Sequence, residues 1–213
     1  NFWLGSARDG LLKVNCEKDI YQRYKYDASI PGSISNNYIL TIYEDAKGNF
    51  WVGTKGGLNL MDRETGTFVV YQEKDGLPNN QINGILEEEN GKLWVSTNNG
   101  ISNFDPVSRH FQNYSIDDGL QHHEFWHRSC YKLRNGDMLF GGLNGFNIVK
   151  PDGIQFNLKI PPVYITDFQI FNRPVPIAEP RSPLSKSISE IKHLTLSYKE
   201  SVFSFEFVAL NYV

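Results

Sequence analysis

The sequence predicts an all-β fold: four-stranded antiparallel blades of a β-propeller, a fragment of a larger ring, followed by the first strands of a β-sandwich. Three observations predict it. The phrase Gly48-Asn49-Phe50-Trp51-Val52-Gly53-Thr54 returns as Gly91-Lys92-Leu93-Trp94-Val95-Ser96-Thr97, is foreshadowed by Asn1-Phe2-Trp3-Leu4-Gly5-Ser6, and is echoed by Gly136-Asp137-Met138-Leu139-Phe140-Gly141-Gly142. The anchors Trp3, Trp51, Trp94 and Leu139 recur 48, 43 and 45 residues apart, a blade-sized period. Finally, Phe50-Trp51-Val52 and Phe68-Val69-Val70-Tyr71 are apolar on consecutive positions. That pattern implies burial on both faces, as in a sheet sandwiched between neighbours, whereas a one-sided sheet alternates.

Each blade can be read strand by strand. First strands are expected within 36–45, 79–88 and 124–133. Glycine-centred hairpins follow at Gly48, Gly91 and Gly136, then second strands at 50–54, 93–97 and 138–142. A second turn carries Gly57, Gly100 and Gly145 in one column, where a positive φ is expected. Third strands are expected at 58–61, 101–104 and 146–149, and fourth strands at 20–24, 67–72 and 110–114. Alternating strand direction puts the second turns and the blade-to-blade connections on one face. The Gly48, Gly91 and Gly136 hairpins fall on the other.

The repeat stops after Lys150-Pro151-Asp152, so we divide the chain into blades over 1–152 and an incomplete sandwich over 153–213. There, 160–171 reads as a strand entered through prolines, 173–183 as a proline-rich loop, and 191–197 and 201–210 as further strands. Phe203, Phe205 and Phe207 fall on one face of the last strand, which should be covered by another sheet. The chain opens inside a strand-like phrase and ends three strands into a sandwich, so it reads as cut at both ends.

Composition excludes several classes. The net charge is −3 with no basic stripe, which argues against nucleic-acid binding. No apolar run reaches the roughly 18–20 residues of a membrane span. Cys16 and Cys130 fit neither a disulfide framework nor a metal motif. No catalytic motif or phosphate-cradling glycine loop occurs, so we expect no enzyme in this fragment, no cofactor and no metal. His122, His123 and His127 make only a loose metal pattern. The pairs Glu44-Asp45 and Glu87-Glu88 invite a glycosidase reading, but their recurrence in one column favours a structural role.

The candidate ligand-binding residues lie on the loop face. Trp126, matched with Tyr38 and Gln81, is an aromatic for stacking on a sugar ring. The stretch around His122 and His123 is two residues longer than its counterpart, because Leu120 to Leu139 takes 19 steps and Leu77 to Trp94 takes 17. Extra loop residues are a common source of specificity. Asn36, Asn37, Asn79 and Asn80 offer amides to hydroxyls but are also turn residues. Arg128, in the column of Leu40 and Asn83, is expected to point into the central channel.

The run Gly76-Leu77-Pro78-Asn79-Asn80, Glu87-Glu88 and Gly91-Lys92-Leu93-Trp94-Val95-Ser96-Thr97-Asn98-Asn99-Gly100-Ile101 resembles the two-component regulator propeller repeat. Gly119-Leu120-Gln121 through Phe146 resembles that family's closing blade. Leu196-Ser197-Tyr198, Val202 through Phe207 and Ala209-Leu210-Asn211-Tyr212 resemble the start of its triple-tyrosine domain, an Ig-like sandwich. The resemblance implies the periplasmic sensor part of an inner-membrane hybrid histidine kinase of a Bacteroides-like organism. It implies an oligosaccharide ligand, a homodimer, a kinase elsewhere in the parent, and contact with the membrane only through a segment downstream. The alternatives are a lyase or glycoside hydrolase propeller acting on polysaccharide and a protein-docking propeller.

Overall fold

A computed structural model describes residues 2–15, 20–153, 162–180 and 182–209. The chain forms two compact units, Asn1–Ile154 and Gln155–Val213. In the first unit each repeat is one antiparallel sheet. Blade 1 is β1 (Phe2–Gly5), β2 (Leu11–Asn15) and β3 (Ile20–Tyr24). Blade 2 is β4 (Ile39–Glu44), β5 (Phe50–Thr54), β6 (Gly57–Met61) and β7 (Phe68–Tyr71). Blade 3 is β8 (Ile82–Glu87), β9 (Leu93–Thr97), β10 (Gly100–Asp105) and β11 (His110–Tyr114). Blade 4 is β12 (Phe125–Lys132), β13 (Met138–Gly142) and β14 (Gly145–Val149).

The second turns take the conformation their glycines permit. Gly57, Gly100 and Gly145 have φ of 139°, 95° and 112°. At Gly100 a Cβ would fall on the carbonyl oxygen of Tyr114 in the fourth strand, so the position excludes a side chain sterically as well as conformationally.

Apolar runs bury because the blades stack face to face. Leu11 of blade 1 packs with Phe50, Val52 and Met61 of blade 2, and Trp3 joins from the side with its ring 4.6 Å from Phe50. Trp51 and Leu58 of blade 2 pack with Ile85, Leu93 and Phe104 of blade 3. Trp94 and Ile101 of blade 3 pack with Phe125, Met138 and Phe140 of blade 4. The tryptophan column is therefore the glue between consecutive blades, and losing one such ring would cost about 3–5 kcal/mol. The inner strands β4, β8 and β12 touch in succession, and β12 also touches β4. Arg128 Nε of blade 4 donates to the Leu40 carbonyl of blade 2 at 3.1 Å. A contact that skips blade 3 requires the inner strands to converge on an axis.

The two faces sort as the strand directions predict. On one, Lys55 N–H donates to the Tyr38 carbonyl, Gly100 N–H to that of His123 and Leu143 N–H to that of Glu124, tying second turns to blade connections. On the other, Ala46 N–H donates to Glu87 Oε2 at 2.8 Å and Lys132 Nζ to the Glu87 carbonyl at 2.8 Å, tying hairpin to hairpin.

A substitution pattern within the repeats explains a recurring polar contact. The Ser35 N–H donates to Asn59 Oδ1 at 2.9 Å, and the Gln121 N–H donates to Asn147 Oδ1 at 3.0 Å. Blade 3 has Pro78 at the matching loop position, which has no N–H to satisfy, and Ser102 where the asparagine would stand. Asn113 then supplies the remaining tie, donating to the Gly76 carbonyl at 2.8 Å.

The second unit has a three-stranded antiparallel sheet in the order β16-β15-β17: β15 (Val163–Ile170), β16 (Arg173–Pro174) and β17 (Phe203–Ala209). Two expectations are corrected here. Residues 191–197 form no strand; Ile191, Leu194 and Leu196 instead pack as irregular chain against Phe168, Leu184 and Ile188. Apolar spacing alone had suggested a ladder, but burial there comes from loop side chains. For the same reason, among the described residues no second sheet covers the aromatic face of β17. Phe203 and Phe205 contact Phe168 over this loop layer, while Phe207 is 70% exposed. A two-residue turn, Phe171 and Asn172 with φ of 51° and 58°, carries β15 into β16, inside the stretch expected to be loop. Cys16, the strand start at 160–161 and the triple-tyrosine positions Leu210 to Tyr212 lie outside the described residues.

Candidate functional site

The structure re-registers the stretch that carries most of the candidate residues. Ile39 pairs with Thr54 and Ile82 with Thr97; the equivalent pair in blade 4 is Phe125 with Gly142. Each inner strand then bulges. In blades 2 and 3 one residue, Leu40 or Asn83, stands outside the ladder before pairing resumes at Thr41 and Gly84. In blade 4 the register is not regained until Cys130 opposite Phe140. The two additional residues therefore lie inside the first strand, not in the 121–125 loop as the sequence suggested. Trp126 does not share a column with Tyr38 and Gln81 either; Glu124 does. A gap can be placed at several points between Leu120 and Leu139 without disturbing either anchor, and only strand pairing decides among them. The single bulge residue becomes Trp126-His127-Arg128, all exposed, with Arg128 at φ 59°. Bulges re-aim side chains, and this one presents an aromatic, an imidazole and a guanidinium at the inner end of the blade.

Corrected register also explains the histidines and asparagines. His122 matches Asn36 and Asn79. Asn36 Oδ1 accepts from the Tyr38 N–H at 2.8 Å, Asn79 Oδ1 from the Gln81 N–H at 2.9 Å, and His122 Nδ1 from the Glu124 N–H at 3.1 Å. Two residue types, asparagine and histidine, thus close the same turn. Asn37 and Asn80, matched with His123, accept from Tyr26 N–H at 2.8 Å and Glu73 N–H at 2.9 Å, while the His123 carbonyl accepts from Gly100. The structure does not bring Asn36 and Asn37 together with Trp126, and the oxygens of all four asparagines hold loops.

What Trp126 does meet is a set of amides that the sequence reading passed over. A cavity of about 120 Å³ lies between blades 3 and 4, with Gln81, Asn83 and Asn98 on one side and Trp126, His127 and Leu143 on the other. Asn83 is fully buried in the bulge position of blade 3. Its Nδ2 donates to the Phe125 carbonyl at 2.7 Å and to Asn98 Oδ1 at 2.8 Å, and Gln81 Nε2 donates to both Asn83 Oδ1 and Asn98 Oδ1. This is a pre-organised amide wall beside an indole that is 53% exposed. A lone asparagine amid the apolar inner-strand column was the available signal. Beneath the bulge, burial raises the pKa of the Cys130 thiol, which favours its neutral form.

The acidic pairs are occupied elsewhere. Asp45 Oδ2 accepts from Trp51 Nε1 at 2.9 Å, and Glu88 Oε2 from Trp94 Nε1 at 3.1 Å. In blade 4 the acid and the indole are both leucine, Leu133 and Leu139, so the pair is gained or lost together. Burial pushes the Asp45 carboxyl up, but its bonds from Trp51, Asn49 and Lys47 together hold its pKa below the ordinary value. Glu44 pairs with Arg63 at 2.7 Å. Glu87 accepts from the Ala46 N–H and, at 3.4 Å, from the Tyr43 hydroxyl; burial first and then Glu87 push the Tyr43 pKa up to about 12. Among the described residues, no group of three or more His, Cys, Asp or Glu is placed to hold a metal ion.

Radially stacked sheets of three and four strands with a tryptophan column and glycine second turns define the class as a β-propeller of repeated blades. The family model for the two component regulator propeller matches residues 33–56 and 76–99, the heart of blades 2 and 3. It is 32% identical over 177 residues, 83% of its length, to "Histidine kinase P4" of Formosa agariphila, and spans 10% of that relative. It also matches a solved structure, the extracellular domain of the hybrid two component system BT3049 from B. thetaiotaomicron. That match has a TM-score of 0.72 and 27% identity, and covers 97% of this chain and 27% of the other. Among the described residues, no helix is long and apolar enough to cross a membrane.

Proposed function

We propose that this chain belongs to the extracytoplasmic, periplasmic sensing region of a hybrid two-component receptor. It binds an oligosaccharide between blades 3 and 4 and passes the signal through the second unit toward a histidine kinase, in a homodimeric receptor. One observation carries the reading. The inner-strand bulge, one residue in blades 2 and 3, is expanded to three exposed residues in blade 4, beside the buried amide of Asn83 and the half-buried amides of Gln81 and Asn98. A flat aromatic beside fixed amides suits a sugar, whose ring stacks while its hydroxyls exchange hydrogen bonds. The likeness to the extracellular domain of BT3049 and to the Formosa kinase supports the sensor role.

A hydrolase or lyase reading draws no support from the acidic pairs, because their oxygens hold indoles, hairpins and Arg63. Sensing needs only differential affinity for two receptor arrangements.

Isothermal calorimetry against a panel of oligosaccharides tests the reading. A hit that Trp126→Ala weakens about tenfold or more, a loss comparable to that of a stacked aromatic contact, supports it. Absence of any saccharide binding, or binding indifferent to Trp126→Ala and Asn98→Ala, refutes it.

A further inference from the structure

The geometry points to an anionic ligand: the oligosaccharide bound at the blade 4 bulge carries a carboxylate or sulfate that pairs with Arg128. This inference rests on the sensing role proposed above and adds the chemical class of the ligand.

Three observations carry it. Arg128 adopts φ 59°, a left-handed conformation unfavourable for a non-glycine residue, within a bulge that holds two more residues than those of blades 2 and 3. Strain held by a local insertion is expected where a side chain must be aimed. Secondly, the guanidinium is anchored but not neutralised. Its Nε donates to the Leu40 carbonyl across the axis at 3.1 Å, and among the described residues no carboxylate forms an ion pair with it. Arg63 pairs with Glu44 at 2.7 Å over the Phe50 ring and Arg23 lies 3.7 Å from Asp9; Arg8, Arg109, Arg134 and Arg173 share with Arg128 the lack of an ion pair among the described residues, and what Arg128 adds is the Nε anchor to Leu40. Thirdly, the neighbours in the bulge are Trp126 and His127, an aromatic and a second potential cation. The nearest acid in sequence, Glu124, sits four residues up the chain and lines the cavity beside Trp126; its carbonyl accepts from Leu143 N–H at 3.3 Å, and no ion pair joins it to Arg128.

A guanidinium fixed through Nε presents its terminal N–H groups as a fork, the geometry that carboxylates and sulfate esters match with two parallel bonds. Arg128 therefore serves as the charge-selecting residue. Arg128 lines a separate hollow with Ser129, Cys130, Tyr131 and Leu139, so the ligand must span the bulge from there to the cavity where Trp126 and the Asn83 amide wall hold its uncharged part.

Calorimetry with oligosaccharides of matched length, one neutral, one uronate-bearing and one sulfated, tests this at two salt concentrations. One charged class should bind about tenfold or more tighter than the neutral one, with the advantage shrinking in high salt. Arg128→Gln should abolish that advantage, while Arg128→Lys should keep part of it. The arm that wins tells uronate from sulfate. Circular dichroism shows whether each variant is folded. Neutral binding that is equal or tighter, and sensitive to Trp126→Ala, would overturn the anion assignment and leave the sensing role standing. Loss of the preference in neither arginine variant would also overturn it. If no saccharide of any class binds, both fall together.

Discussion

Asp45→Ala is the sharpest test of how a blade is held. In the folded chain one carboxylate accepts four hydrogen bonds: Lys47 N–H at 3.0 Å, Asn49 N–H at 2.8 Å, Asn49 Nδ2 at 2.9 Å and Trp51 Nε1 at 2.9 Å. The Trp51 ring is fully buried, so its N–H would be left without a partner, at about 1–3 kcal/mol. The three turn bonds lie nearer solvent and add about 0.5–1 kcal/mol each at most. We expect a loss of about 3 kcal/mol at neutral pH in urea unfolding followed by circular dichroism. In a Trp51→Phe background the orphaned donor is gone, so Asp45→Ala should cost about 1–2 kcal/mol less. The carboxyl pKa is lowered in the folded state, so its contribution is complete above the unfolded value near about 4 and fades as pH falls through the folded value. The Asp45→Ala penalty should therefore shrink in acid. An identical penalty in both backgrounds, or one that grows at low pH, would refute the account.

Other expectations follow from single contacts. Gly100→Ala should destabilise by about 2 kcal/mol or more, since it adds a collision with Tyr114 to the left-handed strain, while Gly145→Ala, with open space around its Cβ, should lose only the conformational part of about 1–2 kcal/mol; paired denaturation curves compare them. At Gly84 an added Cβ would stand 2.7 Å from Cys130 Sγ and 2.9 Å from Ser96 Oγ, so Gly84→Ala should cost about 1–3 kcal/mol, and Cys130→Ala in the same chain should restore part of it. The Tyr43 phenol, raised to about 12, stabilises the fold fully below its unfolded pKa near about 10, and this is lost as pH climbs through the folded value. Stability should fall between those limits more steeply than in Tyr43→Phe, and absorbance of the phenolate reports the titration directly.

The blades were legible because their signals are local and repeated. The second strands at 50–54, 93–97 and 138–142 are bounded by glycines whose φ values only glycine adopts cheaply, so their limits could be read to the residue. The site was less legible because it depends on a register. Trp126 and Arg128 stood out as side chains, but nothing in the string Gln121 to Ser129 says which two residues are extra; only the pairing of Phe125 with Gly142 and of Cys130 with Phe140 does. The amide wall was missed because Gln81 and Asn98 each look like ordinary turn residues and meet only across two strands. In the second unit, Ile191, Leu194 and Leu196 show the opposite failure: their spacing resembles a strand, yet their burial needs no ladder.

The absent N–H of Pro78 has a consequence for how such repeats can be exchanged. Blades 2 and 4 share a lock, a loop amide closed by Asn59 or Asn147; blade 3 has discarded both halves and draws its tie from Asn113 instead. Grafting the Ser35 loop onto blade 3 would strand a donor unless Ser102→Asn travelled with it. Recombination between neighbouring copies is thus tolerated in matched sets rather than residue by residue, and chimeric propellers built by swapping loops should respect those sets.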